Sequence, residues 1–109
     1  LWVMDNDLLA DLNGLSSVSS VGGHVWIMNL DSLTNLDGLG SFTSLVGGLR
    51  IEDNDALTNL DGLSSLVSIP LDLEVQYNTT LCQSVVDAYV VSGVTVNGDV
   101  YIGNNDDGC

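Results

Sequence analysis

The chain repeats itself at a fixed distance. Seven residues, Leu33-Thr34-Asn35-Leu36-Asp37-Gly38-Leu39, return unchanged from Leu57 to Leu63, and a weaker copy, LADLNGL, runs from Leu9 to Leu15. An apolar-x-apolar triplet recurs in step with them as Leu1-Trp2-Val3, Val25-Trp26-Ile27, Leu49-Arg50-Ile51, Leu73-Glu74-Val75 and Val100-Tyr101-Ile102, with starts 24, 24, 24 and 27 residues apart. Counted from each start, the ninth place is Leu9, Leu33, Leu57 and Leu81, and the twelfth is Leu12, Leu36 and Leu60. Leu15, Leu39 and Leu63 take the fifteenth, Val18, Phe42 and Leu66 the eighteenth, and Val21, Leu45 and Ile69 the twenty-first. A period in the twenties, with one short alternating strand followed by apolar residues at every third place, predicts a solenoid in which each coil buries an apolar ring against its neighbours.

Within a coil the alternating triplet sends Leu1 and Val3 inward and Trp2 and Met4 outward, as a strand of a parallel sheet does. The leucines at every third place suit a tight helical turn or an irregular return segment that keeps one side inward. Gly22-Gly23 and Gly47-Gly48 mark the corner before the next strand, where the backbone needs room. After Leu81 the pattern changes: Val85, Val86, Tyr89 and Val90 fall at helical spacing and Gly93 closes the run, which predicts a short capping helix. The segment VTVNGDVYI reads either as a hairpin around Asn97-Gly98 or as a fifth coil. Val96 and Gly98 hold the repeat places of Val21 and Gly23, which favours the coil.

The pattern L-x-[IV]-x-x-N-x-x-L-x-x-L-x-G-L, carried by residues 1 to 81, resembles leucine-rich repeats, and more narrowly the receptor L-domain-like repeats of exported bacterial and fungal cell-surface proteins. The resemblance implies an α/β solenoid: a right-handed coil with one parallel β-sheet, short helical or irregular return segments and a C-terminal capping helix. It also implies that Asn6, Asn54, Asn78 and Asn105 satisfy backbone groups of the neighbouring coil. Leu30 stands at that place in the second repeat, with Asn29 one residue early, so the ladder is expected to be interrupted or bulged there. One domain is expected over residues 1 to 109, with coils starting near 1, 25, 49, 73 and 100 and a cap over 79 to 109. No polar cap precedes Leu1, so the chain is expected to be a piece of a longer stack or to have that edge covered by another molecule.

Charge excludes several partners. Against 15 acidic side chains stands one basic residue, Arg50, for a net charge of -14. Nucleic acid and anionic membrane surfaces both need clustered Lys and Arg. No run of about 18 apolar residues exists, so membrane insertion is not expected, and any export signal is missing or already removed. Cys82 and Cys109 match neither a redox CxxC nor a zinc spacing, and one structural disulfide in an exported protein is the favoured reading over two unpaired thiols. Closing that loop is worth about 3 to 4 kcal/mol in the chain-entropy model.

Two sets of outward columns are candidate sites. Trp2, Trp26, Arg50, Glu74 and Tyr101 form one column and Met4, Met28, Glu52, Gln76 and Gly103 its neighbour, with His24 at the margin. Strands about 4.8 Å apart would merge Trp2, Met4, Trp26 and Met28 into one apolar patch, suited to a ligand unless a loop covers it. The second set is acidic: Asp5, Asn29 and Asp53 at the fifth place, Asp7, Asp31 and Asp55 at the seventh. Stacked carboxylates repel by about 1 kcal/mol per pair even in water. Calcium held by Asp5, Asp7, Asp31, Asp53 and Asp55 would relieve that, as would a solvated acidic edge whose Asp and Asn serve turns. Asn78-Thr79-Thr80 is a glycosylation sequon, though Asn78 also fills the inward asparagine place.

With one histidine, one arginine and no lysine, no catalytic constellation is legible, and no cofactor beyond calcium is expected. The expected role is an extracellular or cell-surface, non-enzymatic recognition or adhesion module binding a protein or glycan through Trp2, Met4, His24, Trp26, Met28 and Arg50. The alternative is a structural subunit whose copies assemble into a filament or surface layer.

Overall fold

The computed structural model describes all 109 residues. Its main feature is a five-stranded parallel sheet built from β1 (Trp2–Met4), β3 (Val25–Met28), β5 (Leu49–Glu52), β7 (Leu73–Gln76) and β9 (Val100–Gly103), side by side in that order. Two-residue strands β2 (Ser20–Val21) and β4 (Ser44–Leu45) pair with each other, and β6 (Ser68–Ile69) pairs with β8 (Thr95–Val96). Helix is scarce: short 3-10 turns at Asn13–Leu15, Asp37–Leu39 and Asp61–Leu63, and one α-helix, α1 (Gln83–Val90). No helix is long and apolar enough to cross a membrane.

Pairing follows the sequence period. Trp2 aligns with Trp26, Trp26 with Arg50, Arg50 with Glu74 and Glu74 with Tyr101, so equivalent residues of successive units lie side by side. The segment around Asn97-Gly98 is not a hairpin, because β8 and β9 run parallel to β6 and β7. Between the strands the expected inward residues close the core: Leu12, Leu36 and Leu60, then Leu33, Leu57 and Leu81, then Phe42 and Leu66 are buried. Each such leucine contributes about 1.5–3 kcal/mol by leaving water. In the first unit Leu1, Val3, Leu9, Leu15 and Val21 are only partly buried, since a unit covers them on one side alone.

The recurring LTNLDGL can now be read letter by letter in its second copy. Leu57, Leu60 and Leu63 face the core. The Thr58 backbone N–H and hydroxyl both donate to the Thr34 carbonyl, at 3.1 Å each, tying one unit to the one before. Asn59 Oδ1 accepts the Asp61 N–H at 3.1 Å, an Asx turn that starts the 3-10 segment. Gly62 is glycine because a Cβ there would overlap the Leu36 carbonyl, and Gly38 meets the Leu12 carbonyl in the same way. The turns therefore stack backbone on backbone.

A buried asparagine ladder joins the units at the strand ends. Asn54 Oδ1 accepts the Leu30 N–H at 3.3 Å, Asn78 Oδ1 the Asn54 N–H at 3.1 Å, and Asn105 Oδ1 the Asn78 N–H at 3.1 Å. Their Nδ2 atoms donate to the Ile27, Ile51 and Val75 carbonyls. At Leu30 the ladder is interrupted but not bulged: the side chain is fully buried and the β1–β3 register is unbroken. Asn78, with no exposed surface, is unavailable as a glycan acceptor, so its sequon is a coincidence of the ladder.

The residue before each ladder position turns the chain inward through a left-handed conformation: Asp5, Asn29, Asp53, Tyr77 and Asn104 all have φ between 54° and 57°. Asp and Asn tolerate this region, whereas a bulky Tyr77 is strained there. At the far end the Cys82–Cys109 disulfide, with Cα atoms 5.7 Å apart, closes the last unit around α1. The Asp106 N–H donates to the Leu81 carbonyl at 2.8 Å, and the Gln83 N–H to the Asp106 carbonyl at 2.6 Å.

Replacing Gly62 by alanine is expected to cost about 2–4 kcal/mol in denaturant unfolding, since the added methyl must push two units apart. A loss below about 0.5 kcal/mol would show that the turns do not touch through backbone.

Candidate binding face of the sheet

Alternation along the strands places Trp2, Trp26, Arg50 and Glu74 on the outer face, and the in-register pairing lines them up one strand apart. At that spacing planar groups stack. The Trp2 and Trp26 rings lie 4.8 Å apart and 4° from parallel. The Arg50 guanidinium covers the other face of Trp26 at 5.1 Å from the ring centre, a cation–π contact. Arg50 Nε in turn donates to Glu74 Oε2 at 2.6 Å and lies 3.7 Å from Glu52. The Glu74 hydrogen bond is the main cause that raises the Arg50 pKa above its ordinary value, against a smaller opposing effect of burial.

Both faces of Trp26 are thus occupied by its neighbours, while Trp2, 66% exposed, keeps one face open. Met4 and Met28 pair beside the tryptophans and are partly buried. His24 lies at the margin, its ring 6.3 Å from Trp26, with Nδ1 accepting the Gly48 N–H at 2.9 Å. A recess of about 130 Å³ opens between His24, Trp26, Arg50, Leu71, Asp72 and Glu74. At the far end of the column the Tyr101 hydroxyl donates to Asp99 Oδ2 at 3.2 Å, a bond that heads the causes raising its pKa.

The structure brings Trp2, Trp26 and Arg50 into one column, with Met4 and Met28 alongside and His24 at the edge. Asp72 and the exposed Leu71 complete the surface and were not expected there, whereas Glu74 was placed in the same outward column by the period but not among the residues expected to bind. Opposite charges at Arg50 and Glu74, one period apart, are the sequence signal that adds it to them.

The acidic columns behave differently. Asn29 Nδ2 donates to Asp5 Oδ1 at 2.9 Å, so a neutral amide separates Asp5 from Asp53, and Thr79 Oγ1 donates to Asp55 Oδ1 at 2.9 Å. An interleaved amide relieves the repulsion in the first column, whereas Asp7, Asp31 and Asp55 follow one another as exposed side chains with no donor between them. Asp5, Asp7, Asp31, Asp53 and Asp55 are not gathered: the one group of three ligand-type side chains whose donor atoms lie within 4.8 Å of one another is Cys82, Asp106 and Cys109, and both sulfurs are in the disulfide. Asp5 and Asp53 instead occupy the left-handed turn column.

A second cavity, of about 500 Å³, lies where α1 replaces the regular turn, between Leu60, Asp61, Ser64, Val85, Ala88 and Tyr89. The Tyr89 hydroxyl is buried without a hydrogen-bond partner, and burial pushes its pKa up to about 12.

No family model, curated protein or solved structure matches the chain.

Thermal unfolding in excess calcium and in excess chelator is expected to give midpoints within about 1 °C of each other, because ungathered carboxylates bind a cation too weakly to shift the folded state. A rise of several degrees in calcium would mean that the aspartates converge on an ion.

Proposed function

We propose that the chain is a leucine-rich-repeat solenoid, of the receptor L-domain-like kind, and acts as an extracellular, non-enzymatic recognition or adhesion module that binds a protein or a glycan through its outer sheet face. The disulfide, together with the lack of a helix able to span a membrane, is compatible with a secreted protein. The observation that carries the binding role is the Trp2–Trp26–Arg50–Glu74 column on a face that no other part of the chain covers.

Such a column is already ordered before a partner arrives. Trp26 is held between Trp2 and Arg50, and Arg50 is held by Glu74, so little side-chain freedom remains to be lost on binding. Trp2 offers an open ring face, Trp26 and the methionines offer edges, and the recess beside His24 offers both signs of charge. An aromatic or sugar ring would stack on Trp2, and a neutral or basic partner surface would suit a chain of net charge -14.

The test is a glycan array and a pull-down with the wild-type chain, followed by titration of the Trp2→Ala/Trp26→Ala variant against whatever binds. The double variant is expected to lose at least about thirty-fold in affinity, as hot-spot aromatics do, with an unchanged circular-dichroism spectrum. Undiminished affinity would place the site elsewhere.

A further inference from the structure

The boundary between the third and fourth units is built differently from the two before it. In the first three units the 3-10 turns lie on one another, with the Leu12 carbonyl against Gly38 and the Leu36 carbonyl against Gly62. The fourth unit has no such turn: α1 stands at that level, and no glycine there receives the Leu60 carbonyl. An α-helix, about 10 Å across with its side chains, is wider than a single 3-10 turn and does not sit flush on one. The mismatch leaves the cavity of about 500 Å³. Both units that enclose it have a paired unit on either side, so the cavity belongs to the interior of the stack.

Its walls combine an apolar floor with two polar groups that the fold does not use. Leu60 and Tyr89 are buried and Val85 half-buried, while Asp61, Ser64 and Ala88 are exposed at the mouth. Tyr89 is 9% exposed, and its hydroxyl, sealed from solvent, has no hydrogen-bond partner inside the chain. A buried unpaired hydroxyl is unfavourable, and phenylalanine would pack the same ring without it. Because burial pushes its pKa up to about 12, the hydroxyl stays a proton donor. It gives up no hydrogen bond by moving, so a small turn of the ring brings it to an acceptor in the cavity. The Asp61 carboxylate is in no ion pair, since Arg50, the one basic side chain, is committed to Glu74 and Glu52.

We propose that this cavity is a binding site for a small organic amine, with its apolar body against Leu60, Val85 and the Tyr89 ring. Its ammonium sits at the mouth on the Asp61 carboxylate, and an oxygen at its inner end accepts the Tyr89 O–H. The volume is that of a small-molecule site, about 300–1,000 Å³, rather than of a surface for a folded partner. A chain of net charge -14 favours a cation over an anion at the mouth. None of these residues belongs to the sheet-face reading, and either stands if the other fails.

Tyramine carries the required groups, an ammonium and a phenol oxygen on an apolar body, and serves as the probe. Added to the isotope-labelled chain, it is expected to shift the Ser64, Val85 and Ala88 amides in nuclear magnetic resonance spectra with a Kd at or below about 1 mM. Phenethylamine, which lacks the phenol oxygen, is expected to bind about fivefold more weakly. The analogue with a carboxylate in place of the ammonium is expected not to bind, and Asp61→Asn to weaken tyramine about threefold. Ala88→Leu, at an exposed helical position, is expected to fill the mouth and abolish the shifts. Tyr89→Phe is expected to erase the preference for tyramine over phenethylamine while leaving the thermal midpoint unchanged or higher, because the lost hydroxyl had no partner. The proposal is overturned if tyramine at about 10 mM, well above the expected Kd, shifts none of the three amides. It is equally overturned if the carboxylate analogue binds as well, if Ala88→Leu binds undiminished, or if Tyr89→Phe keeps the preference or lowers the midpoint by several degrees.

Discussion

Parallel pairing of each strand with the equivalent strand of the next unit holds successive turns of the chain about 4.8 Å apart along the sheet. Every other contact has to be compatible with that spacing. Where two turns approach through backbone, a side chain will not fit, and Gly38 and Gly62 are glycine. Where a carboxamide can bridge the gap, a buried asparagine satisfies the neighbouring unit's N–H, which would otherwise be a costly unpaired donor. Where planar groups face outward, they stack, and Trp2, Trp26 and Arg50 become one object rather than three side chains.

The same spacing is unfavourable for charge, and the chain relieves it in part by neutral donors. Asn29 stands between Asp5 and Asp53, and Thr79 follows the run of Asp7, Asp31 and Asp55 where a fourth carboxylate would repel. Arg50, the only basic side chain, lies between Glu52 and Glu74 and against Trp26, so the one cation both relieves two acids and orders the aromatic column. That economy links the stack to the candidate site: the groups that order the face for a partner are the ones that hold its strands' outer surface together.

Much of the architecture was legible because period and spacing are properties of the sequence itself. The strands beginning near residues 1, 25, 49, 73 and 100 and the helix after Leu81 follow from counting, whereas counting left the segments after Leu12, Leu36 and Leu60 open between a tight turn and an irregular return, and the Cys82–Cys109 bridge was favoured on composition. Side-chain direction on the outer face was less legible. Counting places Trp26 outward but cannot show that Arg50 covers its second face, or that the Tyr101 hydroxyl donates to Asp99. The acidic columns could be read as calcium ligands or as a solvated edge whose Asp and Asn serve turns, and at Asp5 and Asp53 the left-handed backbone, with Asn29 between them, is that of a turn. Leu30 could be read as an interruption or a bulge, and the register decides for interruption because its side chain packs where the amide would have been.

The most direct test of this account is native-state hydrogen exchange of the Leu30, Asn54 and Asn78 amides, the three donors of the ladder between units. If the units are held together as described, these three exchange only through global unfolding and share the highest protection in the chain, far above exposed positions such as Asp7 and Leu8. Exchange of any of the three at rates close to those exposed amides would contradict it, because the boundary between units would then open without the rest of the protein.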